Sequence, residues 1–350
     1  MAKRVLFNKK DDRELFTEFK PLNADFLKSA PDMFNTDRND HATLALNPTH
    51  FMFFDQGQPY MYYRHSNPAS TRFVGIAKLG DGPLDYQKGG YTYQLAAPHR
   101  NDPVVPYAKL GDDPLCYGYS SEDGKMQIRY YEDHIEVKES DILSYSAEYF
   151  PMAFVDHGNI WYGQSVYYLS GFAKGTFNGR PVEGICRADR AFVGQKYKEK
   201  GFFFDFEGLN LNHELAGIRE DGRREDCVVD ILTKDKAWAY YWLEGEEPIA
   251  TNEVEVEADW YRVPYLDDGT CMFKEITFRF AGKEIHVNGK WGTKGWTGYP
   301  KFDKPGQVQV CGPWYEGKTP YNHKYYFSFN EVQESYDHYI KELGFDIVEE

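Results

Sequence analysis

Tyr167-Tyr168-Leu169-Ser170-Gly171-Phe172-Ala173-Lys174-Gly175-Thr176-Phe177 runs into Asn178-Gly179 and returns as Arg180-Pro181-Val182-Glu183-Gly184-Ile185-Cys186-Arg187-Ala188-Asp189-Arg190-Ala191-Phe192. Asn-Gly between two aromatic and β-branched arms is a strong local hairpin signal, because both residues tolerate the positive φ of a type I′ turn. The segment reads as a long antiparallel hairpin whose return arm ends in a charged pair, Asp189-Arg190. Outward from it the same punctuation recurs, at Asp81-Gly82, Asp123-Gly124, Asp221-Gly222, Asp268-Gly269 and Asn288-Gly289. From about Thr43 onward the chain is therefore expected to be a mostly antiparallel β protein.

The strands fall into two kinds. Glu253-Val254-Glu255-Val256-Glu257-Ala258, Thr277-Phe278-Arg279-Phe280 and Glu284-Ile285-His286-Val287 alternate with period two, which predicts one wet face and one buried face. Phe51-Met52-Phe53-Phe54, Phe202-Phe203-Phe204 and Ala237-Trp238-Ala239-Tyr240-Tyr241-Trp242 are apolar on both faces and need cover on each. Residues 1–40 are polar and broken by Pro21 and Pro31, and predict a strap with short helices at Asp12–Phe19 and Asn23–Lys28. A longer helix is expected over Glu331–Leu343, capped by Asn330.

Composition narrows the function. The 350 residues carry 40 Lys+Arg against 55 Asp+Glu, a net charge of −15, which argues against a protein that binds nucleic acid by neutralising phosphates. No run approaches the roughly 20 apolar residues of a membrane span, and the N-terminus shows no signal-peptide pattern, so a cytoplasmic location is expected. Cys116, Cys186, Cys227, Cys271 and Cys311 are scattered without a C-x-x-C pair, so free thiols are expected rather than a disulfide framework or zinc site.

Gly312-Pro313-Trp314-Tyr315-Glu316-Gly317-Lys318-Thr319 satisfies the phosphate-loop pattern letter for letter. A phosphate loop needs a helix start directly behind it, and Pro320 stands there, so the match reads as a β-loop coincidence. No dinucleotide, zincin, hydrolase-elbow or calcium-loop pattern occurs, and no cofactor or metal is expected. The pairs Asp40-His41, Asp133-His134, Asp156-His157 and Asp337-His338 read as turn or surface pairs, since strand neighbours point to opposite faces.

The hairpin 167–192 also resembles the closing hairpin of the lipocalin-like family of carotenoid hydratases (hydroxyneurosporene synthase) and AttH-type proteins, the likeness lying mainly in residues 161–192. In that family a Tyr-Tyr-x-Ser strand passes through a Gly-containing turn to a second Gly and an Asp-His-x-Trp-like end. Asp189 falls on the family's Asp, whereas Arg190 replaces its His and Phe192 its Trp. The resemblance implies two consecutive lipocalin-like β-barrels or curved sheets, over residues 41–195 and 196–350, behind the 1–40 strap. It further implies cofactor-independent hydration, dehydration, isomerisation or cyclisation of a small, largely apolar terpenoid, polyketide or phenolic substrate held between or inside the β domains.

On that reading Asp189 takes the carboxyl role in acid–base chemistry, and Arg190, which stays protonated, orients it or holds a substrate oxygen. His157 is the candidate for proton transfer. Trp161, Tyr162, Gln164 and Tyr168, with Asp55, Tyr62 and Tyr63 from the first barrel, are the candidate substrate-binding residues. Two other readings stay open: a non-catalytic binder of a lipid, pigment or terpenoid, and a carbohydrate-active β-sandwich that stacks sugars on Trp291, Trp296 and Trp314.

Overall fold

The computed structural model describes residues 4–8, 17–21, 44–66, 71–80, 82–85, 95, 103–109, 116–131, 133–159, 164–193, 209–233, 236–264, 269–294, 308–320 and 322–348. Strands dominate them, and the α-helix among the described residues is the short Asp337–Glu342. The chain divides into two compact units. Residues 16–78 and 91–205 form the N-terminal unit, and residues 1–15, 79–90 and 206–350 form the C-terminal unit. No helix among the described residues is long and apolar enough to cross a membrane.

The N-terminal unit is one curled, antiparallel sheet of 14 strands. The hairpin of residues 170–188 forms as its sequence dictates: Phe177 pairs with Arg180, and Asn178 and Gly179 take φ of 48° and 74°. Leu143–Tyr149 buries every second residue, and its Leu143, Tyr145 and Ala147 join Phe51, Phe53, Tyr62, Tyr130 and Phe177 in an aromatic-rich core. Phe51 and Phe53 point into that core with ring centroids 4.9 Å apart, and Met52 is buried on the opposite face, whereas Phe54, expected to be covered, is exposed.

Close strand approach requires glycine at Gly184. A Cβ there would lie 2.0 Å from the Met52 carbonyl oxygen of the neighbouring strand. Gly184→Val is therefore expected to abolish the cooperative melting of the N-terminal unit; a variant that melts with the wild-type transition would contradict this packing.

The C-terminal unit packs a six-stranded sheet against an eight-stranded one around a single core. Val254, Val256, Trp260, Phe273 and Phe278 come from the first, and Leu211, Leu215, Cys227, Val229 and Tyr241 from the second. All five cysteines are free and buried.

Three expectations change. Within the expected N-terminal strap, Arg4–Asn8 is a strand: it pairs antiparallel with Glu253–Arg262 and turns Val5 and Phe7 into the core while Leu6 stays exposed. Thr17–Pro21 is a strand paired with Met152–Asn159, which excludes a helix running through Phe19; Asn23–Lys28 lies outside the described residues. Val5-Leu6-Phe7 is a short continuous apolar run without period-two alternation in sequence, and the pairing alone sets Val5 and Phe7 inward and Leu6 outward. The C-terminal helix is also shorter than expected. His323–Gln333 is a strand paired along Asn210–Arg219, with Phe327, Phe329 and Val332 buried, so sheet packing overrides helix propensity up to Gln333. Behind the phosphate-loop match the next described element is that strand and not a helix.

Candidate functional site

Strand register assembles a polar row in the N-terminal unit. Ser170 lies opposite Arg187, Arg187 opposite His50, and His50 opposite Tyr63, on four adjacent antiparallel strands. Directly opposed residues share a face, so a hydroxyl, a guanidinium, an imidazole and a phenol line up on one side of the sheet. Their sequence neighbours Cys186, Phe51 and Tyr62 point the other way, into the aromatic core.

Asp189 joins this row from just past the end of the strand Arg180–Ala188, two residues beyond Arg187. Ala188 stands opposite Thr49 and Ala191 opposite Leu46, an unchanged register that sets Asp189 level with Pro48. Proline has no N–H to give, so the ladder is interrupted there and Asp189 separates the strands Arg180–Ala188 and Arg190–Val193.

The Arg187 Nε–H donates to Asp189 Oδ1 at 2.9 Å, and Nη1–H donates to Ser170 Oγ at 2.9 Å. The same guanidinium stands 5.0 Å above the Tyr168 ring. His50 stacks on Tyr63 with centroids 4.6 Å apart and planes 10° from parallel. A His50 ring nitrogen and an Asp189 carboxylate oxygen lie within 4.8 Å of one another. Arg187, Asp189 and His50 are 0, 1 and 2 % exposed. Burial of an ion pair costs several kcal/mol per charge, and here the fork to Ser170 and the Tyr168 ring supplement the counter-charge.

Of the residues singled out from sequence, Asp189, Tyr63 and Tyr168 meet in this cluster. A guanidinium on Asp189 is that of Arg187, because positions 187 and 189 share a face; Arg190 begins the next strand, its backbone paired with Tyr167. Tyr62 and Tyr63 diverge for the same reason, and Tyr62 donates its hydroxyl to Glu139 Oε1 at 2.6 Å inside the core. Asp55 is held by both Nε and Nη2 of Arg180, beside the hairpin turn. Hydrogen bonding to Arg180 lowers its carboxyl from the ordinary value. His157 belongs to the strand Met152–Asn159 and Gln164 opens the strand Gln164–Tyr168, and the side chains of His157, Gln164 and Arg190 lie outside the described residues. Trp161 and Tyr162 lie outside them entirely. His50, Arg187 and Ser170 were not singled out from sequence.

Two other buried polar clusters have a different character. Arg64 grips Glu139 through Nε and Nη2 within the N-terminal core. In the C-terminal unit Arg219 and His323 bind Glu225, whose carboxyl burial alone would raise, and their hydrogen bonds hold it at about 2. Burial pushes the Cys186, Cys271 and Cys311 thiols up to about 12, so none offers a thiolate at neutral pH. Within either unit taken by itself, no three metal-ligating side chains converge among the described residues.

Two of the three tryptophans of the sugar-stacking reading are buried. Trp314 is fully buried with its Nε1–H donating to the Ala216 carbonyl at 3.2 Å, and Trp291 is buried against Tyr326; Trp296 lies outside the described residues.

No protein-family model matches the chain, and no curated protein matches it in sequence. Solved structures do resemble it. An AttH-type protein of Nitrosomonas europaea is 13 % identical, with a TM-score of 0.47, over 85 % of this chain and 94 % of that one. CghA is 10 % identical, with a TM-score of 0.42, over 84 % and 89 %. Kievitone hydratase of Nectria haematococca is 10 % identical, with a TM-score of 0.37, over 87 % and 92 %.

Proposed function

We propose that this chain is a cofactor-independent hydratase, dehydratase, isomerase or cyclase of a small, largely apolar substrate, with Asp189 and His50 as its proton-transfer pair. The observation that carries the reading is the convergence of a buried carboxylate and a buried imidazole within 4.8 Å, with a guanidinium on the carboxylate. Adding water to a C=C bond requires an acid that protonates one carbon and a base that activates water at the other, both shielded from bulk solvent. Arg187 supplies the counter-charge to an ionised Asp189, which serves as the base. His50, clamped flat by Tyr63, serves as the acid, since an imidazole can deliver a proton from a ring nitrogen. Ser170 fixes Arg187 and thereby the direction of the Asp189 lone pairs.

The resemblance of residues 167–192 to the carotenoid hydratase and AttH hairpin supports the same class of reaction, and the substrate class is taken from it. The test is incubation with terpenoid, polyketide and phenolic pools, followed by mass spectrometry. Conversion to hydrated, dehydrated or isomeric products without added nucleotide is expected. Recovery of bound ligand with no product from any pool would favour a non-catalytic binder.

A further inference from the structure

His213 occupies the middle of the strand Asn210–Arg219, opposite Val229 on one neighbouring strand and Asn330 on the other. Its imidazole is completely buried in the core of the C-terminal unit. The Asn330 Nδ2–H donates to Ser328 Oγ at 2.6 Å, which turns Asn330 Oδ1 towards His213 Nδ1, also at 2.6 Å. The acceptor on Asn330 fixes the tautomer: Nδ1 carries the proton and Nε2 is a bare lone pair with no hydrogen-bond partner. Phe278 approaches the ring edge-on at 4.5 Å and Phe273 lies at 5.8 Å, both from the opposite sheet.

A proton on Nε2 would place a second N–H and a full charge among these phenyl rings. A ring face returns about 2 kcal/mol to a desolvated cation, against several kcal/mol of lost hydration, so the charged form loses. Among the described residues, the titratable groups of this core on neighbouring strands and the facing sheet include the Cys227 and Cys271 thiols, the Tyr241 phenol and Glu225, and that carboxylate is already bound by Arg219, His323 and Tyr241. From its own strand Leu211 and Leu215 flank it.

We propose that His213 is an acid-sensitive lock of the C-terminal unit, whose neutral form joins the two central strands and whose protonation requires the unit to open. Burial lowers its pKa from 6.5 to about 3, partly opposed by the Asn330 hydrogen bond. The opened chain therefore takes up a proton near pH 6.5 that the folded unit refuses. The stability that depends on this residue is fully present above that pH, declines as pH falls through the window, and is exhausted below about 3. Within the window each pH unit reduces the folded-to-opened ratio by about tenfold.

Tryptophan reports on this unit, because six of the seven, Trp238, Trp242, Trp260, Trp291, Trp296 and Trp314, follow residue 206. Urea unfolding of the full chain followed by tryptophan emission, from about pH 7.5 down to about pH 4.5, tests the lock. His213→Gln keeps a donor for Asn330 but cannot titrate, and its stability is expected to fall with pH less steeply than wild type by about tenfold per pH unit. Equal slopes in the two proteins would overturn the proposal. Ring-nitrogen NMR of the wild-type chain at about pH 5 decides independently, even if the variant fails to fold: a neutral Nδ1–H His213 is expected, and an imidazolium in the folded protein would overturn the lock.

Discussion

Glu139→Ala is expected to cost the N-terminal unit about 3–5 kcal/mol, a large share of the ~5–15 kcal/mol that stabilises a typical domain. Arg64 and Glu139 are both completely buried, joined through two nitrogens of the guanidinium, and Tyr62 adds a 2.6 Å hydrogen bond to the same carboxylate. Truncating Glu139 leaves a guanidinium in an aromatic interior without its counter-charge, far from the water that would compensate it. The loss therefore exceeds anything an exposed pair such as Lys174–Glu183 could give, where the median is about 0–1 kcal/mol. Tyr62→Phe should cost only about 1 kcal/mol, since it removes one donor and leaves the ion pair. Arg64→Met with Glu139→Leu removes both charges together and is expected to recover most of the loss. Urea midpoints compare the three variants, and a Glu139→Ala protein as stable as wild type would refute the buried pair.

Asp189→Asn is expected to reduce turnover by about 10²–10⁴-fold while retaining the fold. The amide keeps an oxygen for the Arg187 Nε–H but loses the lone-pair basicity and the charge that activate water. His50→Gln should reduce turnover to a similar extent, and the double variant should be scarcely worse than either single one, because paired proton-transfer groups act as a unit. Arg187→Lys is the diagnostic positioning variant: one ammonium nitrogen stands where Arg187 uses the two nitrogens Nε and Nη1 in a planar fork, so the fixed geometry of Asp189 is lost and turnover should fall with little change in KM. Additive losses in the double variant would separate His50 from Asp189 in function.

Much of this architecture was legible in the sequence. Asn178-Gly179 marked the hairpin, and period-two runs such as Glu253–Ala258 marked the one-sided strands of the C-terminal unit. The errors arose where local and non-local signals conflicted. Glu331–Gln333 carries helix-compatible residues, yet its pairing with Asn210–Asn212 holds it in a sheet. Asp189 was singled out through its motif, and its bond to Arg187 follows the period-two rule, which sets positions 187 and 189 on one face. His50 had no such signal. It reaches the cluster only because Leu44–Asp55 pairs in one register with Arg180–Ala188, more than a hundred residues later, and sequence periodicity does not encode that register.

The central claim, that proton transfer to and from a bound substrate occurs at Asp189 and His50, is tested most directly by isotope incorporation. A substrate identified from the pools is turned over in D₂O and in H₂¹⁸O by wild type, Asp189→Asn and His50→Gln, each first shown to melt cooperatively. The account predicts deuterium, and for hydration also ¹⁸O, in the wild-type product and neither above background in the two variants. Wild-type levels of incorporation in both variants would contradict it and remove the reaction from this cluster.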